Sequence, residues 1–169
     1  MSPLYSVFRA LRTSTPLRCV RRVLEASPGL LRANPREATN AFMAAVAIVG
    51  SPPSPDRWTA PEETREWLMA SWPILELFFE HGAPLDLAPG SSPAGTPLAI
   101  AVVLPHPCIA EALLARGADP NAPQRVGTIL SMARDLVLSG LPADHELRPQ
   151  IEARVKEMVA LLLRHGARE

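Results

Sequence analysis

Lysine is nearly missing from this chain: Lys156 stands alone against 16 arginines in 169 residues. Acids and bases are equal at 17 each, so the formal net charge is zero. Nucleic-acid affinity rests mostly on phosphate neutralisation, and a balanced chain argues against that class of partner. Cysteine is scarce as well. Cys19 and Cys108 lie 89 positions apart, and neither has a second Cys or a His at metal-ligand spacing. They read as reduced, mostly buried thiols of an intracellular protein. No apolar run reaches the ~18 residues of a membrane span, so no membrane partner is expected. Gly-x-Ser-x-Gly is absent, as is any Gly-rich loop leading to Lys-Ser or Lys-Thr. No catalytic residue, cofactor or metal is implied.

What is present describes a single globular domain. Hydrophobic residues make up 47% and charged residues 20%, enough for a core in a chain of this length. Proline is frequent, at 19 residues, about twice the usual ~5%. Residues 1–24 carry Arg9, Arg12, Arg18, Arg21 and Arg22, several Ser and Thr, and no acid. That composition fits a mitochondrial transit peptide. Two short helices of the folded body fit it too, over Leu4 to Leu11 and Pro16 to Ala26, with Val20, Val23 and Leu24 inward. The second reading is preferred, because the second helix carries a pattern that recurs. A cytoplasmic location is then expected, with mitochondrial targeting as the alternative.

Three segments align: Leu77 to Asp86, Leu113 to Asn121 and Leu161 to Ala167. Each is an apolar helix end, two polar or small residues, then Gly-Ala. Two more align ahead of helices, Gly95 to Ala101 and Gly127 to Ala133, both beginning Gly-Thr. Thr96 and Thr128 are 32 positions apart, and Gly82 and Gly117 are 35. The local chemistry suits a helix–loop–helix unit. Thr96 caps a helix through its hydroxyl, and Pro97 at the first helical position loses no hydrogen bond. Leu98 and Ala101 share a face; Ile109, Leu113 and Leu114 give the second helix its apolar stripe. Gly117 ends that helix, and Asp119-Pro120-Asn121 begins a turn.

A period near 33 with these two signatures resembles the ankyrin repeat. The resemblance implies an all-α fold: a solenoid of stacked antiparallel helix pairs joined by extended turns. One domain spans 1–169, with an N-terminal cap at 3–28 and units at 36–86, 93–121 and 125–169. Two units are lengthened. Ala44 to Gly82 is 38 positions and Ala133 to Gly166 is 33, against 16 for Ala101 to Gly117. In the second unit, Thr39 to Ala44 stands where the Thr-Pro-Leu helix start would fall. Its insertion runs through Gly50 to Pro55 and restarts at Thr59-Ala60-Pro61-Glu62, a capping-box spacing. Trp72-Pro73 is expected to bend or break the long helix that follows. The second insertion contains Ser139-Gly140-Leu141-Pro142, with Asp144 as a cap. Where the family often has His after Thr-Pro-Leu, this chain has Ala99 and Ser131.

The family is mainly one of protein–protein recognition, so the resemblance implies a binding module with a protein partner. It would bind through hairpin tips, inner helices and the Trp-bearing insertion. The nominated residues are Trp58, Trp67, Trp72, Ser91, Ser92 and Arg125. Trp contributes interface energy out of proportion to its number; anchoring an irregular insertion is its other reading. An alternative function is a small-molecule pocket closed by the insertions, with Glu62, Glu63 or Glu66 as acid–base groups. His81 and His165 read as helix-end residues before Gly-Ala. His106, between Pro105 and Pro107, reads as solvent-facing. Charge is uneven: residues 1–40 are net +5, residues 41–86 net −5, and the rest balance. Neighbouring units neutralise each other, or the basic end meets an acidic partner.

Overall fold

The computed structural model describes residues 4–12, 16–51, 61–86, 95–125, 127–136 and 146–169. Among them the regular structure is all helical. The elements are α1 (Tyr5–Leu11), α2 (Pro16–Ala26), α3 (Leu30–Ala33), α4 (Pro35–Gly50), α5 (Pro61–Glu80), α6 (Pro97–Val103), α7 (Pro107–Leu114), α8 (Ile129–Ser131) and α9 (Arg148–Arg164). A π-helical turn, Met132–Leu136, continues α8. Helices consecutive in pairs pack together: α1 on α2, α4 on α5, α6 on α7, and α8 with its π turn on α9. The first members also touch in sequence, α1 to α4 to α6 to α8, and α2 meets α5 as α7 meets α9.

Proline and threonine set the helix starts. Thr96 accepts the Ala99 N–H at 3.1 Å, with Pro97 in the first turn. Thr128 accepts the Ser131 N–H at 3.1 Å, and the Ser131 hydroxyl accepts the Thr128 N–H at 3.0 Å, closing a capping box. Two starts differ from the sequence expectation. Helix α4 begins at Pro35 and not at Thr39, capped by the Asn34 side chain, which accepts from the Glu37 N–H. Thr39 lies one turn inside α4, where its hydroxyl reaches the Pro35 and Asp86 carbonyls. An Asn-Pro start outranks a Thr that has helical residues on both sides. The cap position of α9 is Leu147 and not Asp144, and Pro149 stands in its first turn. The short helix α3, with Leu31 fully buried, occupies residues left between the expected units.

Three helix ends share one closure. The N–H groups of Ala83, Ala118 and Ala167 return to the carbonyls of Phe78, Leu113 and Leu162 at 2.9, 3.1 and 3.0 Å. This six-to-one bond needs a left-handed residue just before it. Gly82, Gly117 and Gly166 supply it, with φ of 69°, 95° and 84°. The alanines that follow are all buried, so each Gly-Ala turns the chain and seals the core together.

The long helix α5 runs 20 residues, through Pro73, without a break. Proline removes the bond to the carbonyl four residues back. That residue is Met69, 70% exposed, so the freed carbonyl lies on the solvent side. Inside, Phe42 of α4 stacks on Phe78 at 5.3 Å and meets Phe79 edge-on at 5.4 Å. Leu98, Ala101, Val102, Ile109 and Leu113 carry the same core into the next pair.

Polar stitches join the turns of successive pairs. The Asp86 carboxylate accepts the Asp119 N–H at 3.1 and 3.2 Å. Asn121 stands four residues after its Gly-Ala glycine, as Asp86 does. Its Oδ1 accepts the Arg168 N–H at 2.7 Å, and its Nδ2 donates to the Gly166 carbonyl at 2.9 Å. An amide both donates and accepts; a carboxylate only accepts. Burial and the nearby Asp119 charge push the Asp86 pKa up, against the bond from the Asp119 N–H.

Two stability outcomes follow from this packing. Leu113 is fully buried, so Leu113→Ala is expected to cost ~2–5 kcal/mol in denaturant unfolding. A loss under about half a kilocalorie would place Leu113 outside the core. Asp86→Asn is expected to stabilise the protein at neutral pH by about 0.5–1.5 kcal/mol, by removing the repulsion and offering a donor toward the Gly117 carbonyl. Unchanged or lower stability in the same assay would contradict it.

Candidate functional site

Two of the nominated residues within the described chain, Trp67 and Arg125, fall on two separate surfaces. The first is a groove between α2 and α5, about 450 Å³ in volume. Pro16, Leu17, Ala70 and Ile74 give it apolar walls; Trp67, Ser71, Arg18 and Arg21 complete the lining. Its polar floor atoms are already engaged. The Trp67 indole N–H donates to the Ile48 carbonyl at 3.0 Å. The Ser71 hydroxyl donates to the Trp67 carbonyl at 2.6 Å. Arg18 and Arg21 are exposed and form no ion pair among the described residues. The lining includes no carboxylate among those residues.

Trp67 therefore anchors the insertion and also walls a groove. Trp72 is half-buried against the core. Glu66 is exposed and does not line the groove. Glu62 and Glu63 stand in the first turn of α5, and their side chains lie outside the described residues, as do Trp58, Ser91 and Ser92 entirely.

The second surface is the turn at 119–125. The Asp119 side chain accepts the Asn121 N–H at 2.8 Å, and the Gln124 amide donates to the Ala122 carbonyl at 2.9 Å. These local bonds hold a rigid tip, and Arg125 is exposed at its end. The tip and the groove belong to different helix pairs.

His106 overturns its sequence reading. It is only 5% exposed. Its Nε2 bonds to the Gly50 carbonyl, so Nε2 carries a proton. Burial lowers its pKa from 6.5 to about 4, and the positive charge of Arg154 adds to that against the Gly50 bond. Gly50 suits the contact: a Cβ there would lie 3.0 Å from both the His106 ring and the Leu104 side chain. The cysteines differ from expectation in the opposite sense. Cys19 is half-buried and Cys108 exposed, because Cys108 falls on the outer face of α7 next to the buried Ile109. His81 is half-buried and His165 exposed at their helix ends. Among the described residues no group of three His, Cys, Asp or Glu is placed to hold a metal. No helix there is long and apolar enough to cross a membrane.

The ankyrin repeat family model matches residues 95–125, the segment from the Thr96 cap through the Gly117 closure to Arg125. That segment is an ankyrin repeat. No curated protein matches the chain, and no solved structure does. Ankyrin repeats generally mediate protein–protein interaction.

The neutral His106 makes stability depend on pH. The unfolded chain takes up this proton near pH 6.5, and the folded chain only near 4. Stability from this group is complete above about pH 6.5 and falls between there and pH 4, by roughly 3 kcal/mol in all. His106→Gln, which keeps a donor, is expected to flatten that part of a pH series of denaturant melts. An equally steep loss in the variant would assign the dependence to other groups.

Proposed function

We propose that this protein is a non-enzymatic interaction module, built as an ankyrin-type solenoid over residues 1–169 with two lengthened units. The cap is 3–28, and the units are 36–86, 93–121 and 125–169. The observation that carries the reading is the recurrence of one joint. The Gly-Ala closure appears three times, and the side chain four residues after two of those glycines reaches the backbone of the next turn. A helix pair repeated through such a joint builds a continuous surface from unlike sequences. The long helices, 20 residues in α5 and 17 in α9 against 8 in α7, support the lengthened units.

The binding surface in this reading comprises the turn tips, the inner helices and the insertion between α4 and α5. Its candidate residues remain Trp58, Trp67, Trp72, Ser91, Ser92 and Arg125. Arg125 is the best placed among the described ones. Its guanidinium is exposed on a tip held by side-chain bonds, and it suits a carboxylate or an aromatic face. The small-molecule alternative with Glu62, Glu63 or Glu66 gains no support from the groove lining.

The test begins with partners recovered from the native cell by cross-linking to the full chain. Titration calorimetry then compares wild type with Arg125→Ala. The variant is expected to lose about fivefold or more in affinity, roughly 1 kcal/mol, with its melting temperature unchanged. Turnover of a small molecule that Glu66→Gln abolishes would overturn the module reading.

A further inference from the structure

We infer that the groove between α2 and α5 docks an acidic segment of a partner protein, apolar side chains entering against Trp67 and Ile74 and carboxylates meeting Arg18 and Arg21. The inference rests on the module reading above and adds a second surface, away from the turn tips, with a stated partner chemistry.

The floor selects for apolar groups. The indole N–H of Trp67 and the hydroxyl of Ser71 are spent on the Ile48 and Trp67 carbonyls, so neither is left to orient a polar ligand. Leu17, Ala70 and Ile74 complete a wall that gains by losing water.

The walls select for negative charge. Arg18 and Arg21 are one helical turn apart on α2 and both line the groove. Their guanidinium groups form no ion pair among the described residues, and a guanidinium beside a dry surface favours a carboxylate held by two parallel bonds. The two sides differ in charge: residues 1–40, which include α2, are net +5, and residues 41–86, which include α5, are net −5. The basic α2 side favours the approach of an acidic segment along that wall. The acids of the two helices whose side chains are described, Glu25 on α2 and Glu66, Glu76 and Glu80 on α5, do not line the groove.

A phage-displayed library of random peptides panned on the full chain tests this. Enriched peptides are expected to carry Asp or Glu beside aromatic or aliphatic residues. Synthesised and measured by fluorescence anisotropy, they are expected to bind at least tenfold more weakly to Arg18→Glu/Arg21→Glu and to Ala70→Trp, which fills the groove. All three positions are exposed, and circular dichroism confirms folding; Arg18→Gln/Arg21→Gln replaces the charge reversal if that variant is unstable. Enriched peptides that are neutral or basic, or that bind these variants normally, overturn the groove assignment. Peptides whose binding depends on Arg125 and not on the groove overturn it while leaving the module reading intact. A library that yields no binder counts against both. A wild-type dimer in sedimentation that Ala70→Trp converts to monomer would give the groove to a second copy and likewise overturn the proposal.

Discussion

The C-terminal end of α4 lies inside the protein, and its carbonyl groups need partners that water cannot supply there. Unpaired, each costs on the order of 1–3 kcal/mol. The partners come from two directions. Ile48 takes the indole N–H of Trp67 from α5, and Gly50 takes the imidazole of His106 from the corner between α6 and α7. Helix α5 is thus tied back to the end of α4. The next helix pair is held against the same end. A charged His106 would still donate there, but burial and Arg154 oppose the charge, so the tie and the neutral state of the ring go together.

Around that end, coupling between helix pairs is both apolar and polar. Phe42 and Phe78 stack within the second pair, whose core runs on into Leu98 and Val102 of the third, and the Arg116 guanidinium sits 4.0 Å over the Phe79 ring, reaching from the end of the third pair to that of the second. The stitches from Asp86 and Asn121 lie outside this core, at the turns. Nearest-neighbour arrangements of this kind share their stability, so a weakened unit loosens those beside it.

How far the sequence was legible follows from what each signal depends on. The three Gly-Ala ends, the two threonine caps and the bounds of α1 and α2 are local matters, set by residues within a turn of each other. They read correctly. Thr39 misled because its motif is local but Asn34-Pro35, just upstream, is a better start. His106 misled because two flanking prolines look like a surface corner, while its burial is decided by α4, more than fifty positions away in sequence. The groove was half visible. Trp67 was nominated for its type, and the basic first segment was noted, but that Arg18 and Arg21 face α5 is a fact of packing. The remaining nominated positions, Trp58, Ser91 and Ser92, fall outside the described residues.

The joints at Asp86 and Asn121 have one further property. Each grips only main chain in the next unit, an N–H at Asp119 and an N–H and a carbonyl at Arg168 and Gly166. Main chain is the same whatever side chain it bears. At Arg168 the splice therefore asks only for a residue with an N–H, so that position is free to drift to anything but proline, whereas Asp119 acts back on Asp86 through its charge and Gly166 is kept by its left-handed backbone. A scaffold joined in this way separates the grammar of stacking from the vocabulary of its surface, and the second can be rewritten many times over while the first is kept.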